Sequence, residues 1–301
     1  MKKIIGIGAS VLDTIIEMDD YPLEDSKKKI DNVFSSGGGP VGNALVCISK
    51  LGVQSAYLGL LSNDNNGKRL AEEFDEYHVS TEHVTYVDNT KAFTSYIVLN
   101  KKKGTRTCVF DRGSVPDDPS LLDLNVIKDY DILHLDGNFI NIAISGAKKA
   151  KEFNKLVSLD AGTVYPRIKE LLPYVDIFIA SEDFVRTLTC ENDVEKGLLI
   201  IKEMYNPKVL VATQGVLGGC YYEDGVVHHY DSFKVDCVDS NGAGDTFHGA
   251  FLVAYLDGMS LKDCCLFASA TSAIKCQKAG VRIALPEKEK VLTFLSERIG
   301  K

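Results

Sequence analysis

Short apolar runs separated by amphipathic stretches recur along most of this chain, and that alternation restricts its fold more than any other feature. The runs are Ile4–Ile7, Ala56–Leu60, Ile132–Leu135, Val157–Leu159, Ile177–Ala180 and Val209–Ala212. Runs this short, with little polar alternation, are the pattern of strands buried on both faces. Helical patterns lie between them, as at Gly67–Tyr77 and Ile142–Asn154. Strands alternating with helices predict an α/β fold: a doubly wound, mostly parallel sheet with helices on both faces. A chain of 301 residues can bury a sizeable core, and residues 1–301 are expected to form one such domain.

Two regions break the alternation. Thr14–Phe34 is polar and extended. Lys91–Asp111 reads as a hairpin, with FTSYIVL, then NKKKG, then TRTCVF; Lys101, Lys102, Lys103 and Gly104 make a solvated turn. Neither region carries a covering helix. Segments 14–34 and 91–111 are therefore expected to form a small second sheet that projects from the main domain and can serve as a lid, with an ordinary surface hairpin as the alternative.

Bulk properties narrow the function. The net charge is −8, which argues against long nucleic acid as a partner. A compact phosphorylated ligand stays open, because it needs only a local patch of backbone N–H groups and one or two cations. The eight cysteines (Cys47, Cys108, Cys190, Cys220, Cys237, Cys264, Cys265 and Cys276) form no CxxC pair. They read as buried small hydrophobes in a reducing compartment, so a cytoplasmic location is expected; spacing gives little support to a zinc site. The N-terminal segment starts basic and apolar, as a leader peptide would, but Gly6, Gly8, Asp13 and Glu17 interrupt it. It reads as a first strand and turn. No stretch approaches the about 18 uninterrupted apolar residues of a membrane span.

The strongest chemical signal is Asp239-Ser240-Asn241-Gly242-Ala243-Gly244-Asp245-Thr246-Phe247. Phe247, Ala250, Phe251, Ala254 and Tyr255 then share one helical face, with Gly258 as a stop. Gly242, Ala243 and Gly244 thus fall at a helix N-terminus, where small residues let a ligand approach free backbone N–H groups. Those groups and the helix dipole favour an anion such as a transferring phosphate. Asp245, in the first turn, can accept the proton of an attacking hydroxyl. The same pattern also describes an ordinary glycine-rich helix cap.

DSNGAGDTF closely resembles the signature of the ribokinase-like (PfkB) family of carbohydrate kinases. The family usually has two Thr/Ser residues before GAGD, where this chain has Ser240 and Asn241. A second family signature also matches: Gly37-Gly38-Gly39-Pro40-Val41-Gly42-Asn43-Ala44, followed by Leu51-Gly52. The resemblance extends to GIGASVLD at the start, LHLDG at Leu133–Gly137, ATQG at Ala212–Gly215 and GVRIALP at Gly280–Pro286. YPLEDSK (Tyr21–Lys27), GTRTCVFDR (Gly104–Arg112) and FKVDCVDSNGAGDTFHGA (Phe233–Ala250) resemble the ketohexokinase-like and sulfofructose-kinase-like branch.

The resemblance implies roles residue by residue. Asp245 matches the catalytic base, and Gly242, Ala243 and Gly244 the anion hole. Asp13, Gly38, Gly39 and Asn43 match sugar-hydroxyl contacts. Thr213 and Gly215 match nucleotide contacts, with Gly218 in the turn that follows. Phe267–Cys276 is placed over the adenine, which makes Cys276 a nucleotide-site residue. The implied cofactors are ATP and Mg²⁺, with a monovalent cation such as K⁺ as a further candidate, and the implied assembly is a homodimer through the lid. One departure matters. Many relatives carry Asn-x-x-Glu, which organises Mg²⁺ and water, whereas this chain has Ser181-Glu182-Asp183-Phe184. The metal ligands stay unassigned, with Glu182 or Asp183 as substitutes, or ATP and water as the main holders.

Other signals are weaker. Gly6-x-Gly8 suggests a dinucleotide fingerprint, but its third glycine position is Val11. His228-His229 reads as a solvated pair rather than a metal site, and most of Lys27, Lys28 and Lys29 as solvated. Arg112 is the candidate for an anionic group on the substrate, with a surface ion pair as the alternative. The expected function is ATP-dependent phosphorylation of a hydroxyl of a small sugar, ketose-like and uncharged. The alternatives are a kinase for a nucleoside or another small alcohol, and a catalytically weak sugar-binding regulator.

Overall fold

Nine strands form one sheet in the order β13-β12-β11-β10-β9-β8-β1-β4-β5. In chain order they are β1 (Lys3–Ile7), β4 (Gln54–Ser62), β5 (Val79–Val87), β8 (Ile132–Leu135), β9 (Leu156–Ala161), β10 (Ile177–Ser181), β11 (Val209–Thr213), β12 (Gly219–Glu223) and β13 (Val226–Tyr230). All neighbours pair in parallel except β11–β12 and β12–β13. A separate four-stranded sheet, β3-β2-β6-β7, consists of β2 (Val11–Met18), β3 (Asn32–Gly38), β6 (Thr94–Asn100) and β7 (Thr105–Asp111). The helices are α1 (Pro40–Lys50), α2 (Asn65–Glu76), α3 (Ile140–Glu152), α4 (Ile168–Leu171), α5 (Glu182–Thr189), α6 (Val194–Tyr205), α7 (Ala243–Leu256), α8 (Leu261–Cys276) and α9 (Lys288–Ile299). This computed structural model describes residues 2–103 and 105–299. Met1, in the first-strand reading, and Gly104, in the lid-turn reading, lie outside the described residues.

The apolar runs become strands because both faces of the large sheet are covered. Ile4, Ile177, Ile179, Val209 and Val211 point to one face, packed with Val41, Leu45, Phe251 and Phe267 from α1, α7 and α8. Their neighbours Ile5, Ile7, Phe178, Leu210 and Ala212 point to the other, packed with Ile142, Val185 and Leu198 from α3, α5 and α6. Period-two alternation therefore carries no polar signal here. Side-chain caps fix several helix starts: Asp64 accepts from Gly67 N, Ser181 from Phe184 N, Asp193 from Glu195 N and Ser260 from Asp263 N.

The order of strands reverses beside β1, which lies between β4 and β8. Open α/β sheets bind ligands at the C-terminal strand ends at such a point. Gly6-x-Gly8 leads into strand β2 and not into a helix, so the dinucleotide motif lacks its phosphate-binding helix.

The small sheet arises from the two regions that broke the alternation. The reading of Thr14–Phe34 as extended throughout needs correction: strands occupy its ends, while the polar stretch 19–31 contains none. Lys101 pairs with Asp31 at 2.8 Å and Lys102 with Asp20 at 2.7 Å, which tethers that stretch to the hairpin turn. In register, Asp13 lies opposite Ser36 on one side and Ser95 on the other, with Ile15 opposite Ile97 two residues on.

Candidate active site

The glycine run Gly37–Gly39 brings β3 against the end of β1 and starts α1. A Cβ on Gly38 would lie 2.0 Å from Asp13 Oδ2, so the bare backbone makes room for that carboxylate. Gly39 has φ +89°, and a Cβ there would meet the Ala9 carbonyl at 2.3 Å. Pro40 then sets the helical φ at the first position, and Asn43 follows in the same turn. Its Nδ2 donates to Asp245 Oδ2 at 2.7 Å, and its Oδ1 accepts from Arg282 Nε at 3.3 Å. The amide is therefore held at both ends, and it locks two motifs 202 residues apart.

Gly242 precedes α7 in the left-handed region (φ 69°), where a Cβ would lie 2.4 Å from Val281 Cγ1. Gly244 differs: a Cβ there would have nothing within 4 Å, and its φ is not positive. Strain in this turn thus belongs to Gly242, and the open space belongs to Gly244. Among the described residues, the N–H groups of Gly244 and Asp245 have no backbone acceptor, as expected for a first helical turn. They open beside the Asp245 carboxylate.

Burial raises the pKa of Asp245, and the negative charge of Asp160 adds to the rise; the Asn43 hydrogen bond, His248 and Lys275 oppose it. Behind Asp245, His248 Nε2 lies 3.1 Å from Asp160 Oδ1, with both side chains buried. Burial alone would raise Asp160, but the charge and hydrogen bond of His248, with His134 and the Gly162 backbone, together hold it below the ordinary value. Asp13 is pushed up to about 6 by burial, despite a 2.5 Å hydrogen bond from Ser95 Oγ. Burial also lifts Asp136 to about 6. Its Oδ2 accepts from Ala9 N at 2.8 Å and Val41 N at 3.4 Å, joining β1, α1 and the end of β8.

Two residues that the sequence reading did not single out hold this arrangement together. Arg282 is fully buried and lies over the Phe74 ring at 4.8 Å. Its Nη1 lies 3.3 Å from Glu73 Oε1 and its Nη2 donates to the Gly38 carbonyl at 3.2 Å. Glu73 also accepts from Gly37 N at 2.7 Å and from Ser36 Oγ at 3.2 Å. Helical spacing gave no clear signal: Glu73 borders the face formed by Leu70, Ala71 and Phe74, where an acid ordinarily reaches solvent.

A narrow cleft lies between the small sheet and the loops that precede α7 and follow α8. Asp13, Ile15, Ile97 and Leu99 line it from the small sheet, and Asp239 and Asn241 from the turn before α7. Arg112 is not among its lining residues. It stands over Phe93 at 5.8 Å and donates to the Asn138 carbonyl at 2.7 Å.

The residues expected at the nucleotide lie at the end of β11 and beyond. Thr213 ends that strand, and its hydroxyl faces the Ala180 carbonyl at 3.4 Å. Gly215 has φ +56° with open space around it, whereas a Cβ on Gly218 (φ +86°) would meet the Tyr230 carbonyl at 2.0 Å. Cys276 contributes its carbonyl, which accepts from Val238 N and Asp239 N at 2.8 and 3.1 Å. Burial pushes its thiol up to about 11. At β10, Phe184 is buried against Phe178. Glu182 pairs with Arg186 at 2.9 Å, and Asp183 with the same guanidinium at 3.9 Å. No group of three or more His, Cys, Asp or Glu is placed to hold a metal among the described residues. The described residues thus form no all-protein metal cage, whereas Mg²⁺ with a nucleotide needs at most one or two carboxylates beside phosphate and water. His229 faces Glu195 at 3.0 Å while His228 stacks on Tyr221, so the two rings do not converge.

The chain is similar to known proteins over nearly its whole length. The pattern of the "pfkB family carbohydrate kinase" matches residues 1–288. A protein of Arabidopsis thaliana described as "Probable fructokinase-5" is 29% identical, covering 94% of each chain. Ketohexokinase of Mus musculus is 25% identical, covering 93% of this chain and 97% of its own. The structure of Arabidopsis thaliana ribokinase complexed with ribose and ATP superposes with a TM-score of 0.85 at 25% identity, covering 98% of each chain. The large mostly parallel sheet, the helices around it and the small second sheet are thus those of the ribokinase fold, and the chain belongs to the pfkB family of carbohydrate kinases.

Proposed function

We propose that the protein transfers the γ-phosphoryl group of ATP to a hydroxyl of a small, uncharged, ketose-like sugar. One observation carries the reading: Asn43 holds the Asp245 carboxylate beside the open N–H groups of Gly244 and Asp245. A base and an anion hole then share one space, as in-line phosphoryl transfer requires. Asp245 takes the hydroxyl proton as the oxygen bonds to phosphorus and the bond to the bridging oxygen of ADP breaks. The N–H groups hold the charge of the transferring group. Asp13 and Asn43 orient the sugar, and the turn with Thr213, Gly215 and Gly218 receives the nucleotide, with Cys276 at its edge. Mg²⁺ accompanies the nucleotide, held by phosphate and water, because Phe184 replaces the usual acid and Glu182 is paired with Arg186.

Residues 1–301 act as one domain in this reading, with the small sheet as lid and dimer interface. Ile15, Ile97 and Leu99 give the lid an apolar inner surface, while Val33, Tyr96 and Val109 leave apolar groups exposed on the sheet. The cleft lining supports a neutral substrate, since it contains Asp13 and Asp239 and neither Arg112 nor Lys27. No helix among the described residues is long and apolar enough to cross a membrane.

The test is ATP turnover across ketoses, aldoses, their phosphorylated or sulfonated counterparts, and nucleosides, in wild type and Asp245→Asn. A neutral ketose is expected to give the highest kcat/KM, and the Asn variant to lose ~10²–10⁴ in kcat with ATP binding unchanged. A nucleoside or an anionic sugar as best substrate overturns the substrate assignment. Wild-type kcat in the Asn variant overturns the base.

A further inference from the structure

Lys275 lies in the last turn of α8 and is fully buried. Its Nζ donates to the Asp239 carbonyl at 2.9 Å and to the Asn241 carbonyl, and lies 3.7 Å from Asp239 Oδ2. The carboxylate is fixed in its turn: Oδ1 accepts from Asn241 N at 2.9 Å and Oδ2 from Gly280 N at 3.0 Å. Two carbonyl dipoles and a carboxylate thus converge on one point inside the protein. Without a positive charge there, that convergence would be repulsive. Backbone carbonyls with a carboxylate are also the ligand set of hard cations, which prefer oxygen. An ammonium group carries the same charge as K⁺ and is close to it in size.

The caged residues are those that shape the anion hole. Asp239 and Asn241 lead into Gly242, whose left-handed φ turns the chain into α7 and exposes the N–H groups of Gly244 and Asp245. The positive charge also acts on Asp245, where Lys275 favours the ionised carboxylate.

We propose that Lys275 is a tethered monovalent cation, which holds the Asp239–Gly242 turn in its phosphate-binding shape and removes any need for added K⁺. The cation expected from the family resemblance is then supplied by the chain itself. Lys275 is a positioning residue, because it acts through the turn and Asp245 and not on substrate. This inference rests on placing the transferring phosphoryl at the α7 N-terminus.

The experiment uses the full chain in tetramethylammonium buffer, with K⁺ or NH₄⁺ added back. Wild type should keep its kcat within about twofold in all three conditions. Lys275→Ala should lose about 10²-fold in kcat and regain at least tenfold, saturably, with K⁺ or NH₄⁺, while the sugar KM moves little. A lysine needed only for packing would not give saturable cation rescue of kcat. Strong K⁺ activation of wild type overturns the proposal, and needs no variant to fold. So does a folded Lys275→Ala that is fully active without cation, or one that neither K⁺ nor NH₄⁺ restores. Asp245→Asn in the same assay separates the two ideas: if it is inactive while the Lys275 results fail, only the cation proposal falls.

Discussion

Replacing Gly244 by alanine should make the protein more stable and much less active. The structure separates the two effects. A Cβ at Gly244 meets nothing within 4 Å and the backbone is not left-handed, so the methyl fits the free protein. Alanine in a helix is favoured over glycine by about 0.5–1 kcal/mol. For a chain of this size that is a rise of roughly 2 °C in Tm. The Cα–Cβ bond in a helix leans toward the N-terminus, which puts the methyl over the N–H groups assigned to the phosphoryl. Losing one such donor costs ~10²–10³ in kcat; Gly244→Val, bulkier still, should lose at least as much. Gly242→Ala is the contrasting control. Its φ of 69° and the 2.4 Å approach to Val281 predict a destabilisation of about 1–2 kcal/mol. Thermal melts and steady-state kinetics on both variants decide the matter. A Gly244→Ala enzyme that melts higher and retains wild-type kcat would refute the placement of the phosphoryl over this turn.

Asp13, lifted to about 6, should be protonated below that pH and bind sugar hydroxyls poorly. The sugar KM should then rise up to about tenfold per unit as pH falls below 6, and Asp13→Asn should flatten that dependence; an unchanged slope in the variant removes Asp13 from the sugar site. Arg282→Met leaves the buried Glu73 unpaired and should cost about 3–5 kcal/mol in chemical denaturation. Adding Glu73→Gln should recover part of that loss, and strict additivity would deny the pair. Strands β2, β3, β6 and β7 should gain hydrogen-exchange protection when sugar binds, because closure excludes competing water; identical exchange with and without sugar would deny the lid.

The layered sheet was legible because Ile4–Ile7 and Val209–Ala212 are apolar on both faces, which leaves few alternatives to a covered parallel strand. The small sheet was legible for the opposite reason: Phe93–Phe110 has strand periodicity and no helix beside it. The Asp245 turn could be placed on a helix start from its glycines. Its meeting with Asn43 could not, because no local pattern joins residues 202 positions apart; the family resemblance implied a shared site for the two but not their hydrogen bond. Arg282, Glu73 and Lys275 escaped notice because charged residues are assigned to solvent by default. Arg282 sits in a short turn with no periodicity to contradict that default. Lys275 sits in a helix whose small and polar residues blur its apolar face. Each is buried only because a partner from a distant segment neutralises it.

The Glu73–Arg282 bond also has a meaning in time. The partners are 209 residues apart, and a ribosome adding 5–20 residues per second needs roughly 10–40 s to make the second after the first. Until then Glu73 has no guanidinium, the Gly38 carbonyl lacks its Arg282 donor, and Asn43 lacks the contact to its Oδ1. The Arg282 brace on α1 and the glycine run is therefore among the last features to form on the growing chain. A chain that stops short of residue 282 lacks that brace, whatever else has folded. Its presence becomes a report that synthesis has passed the closing loop.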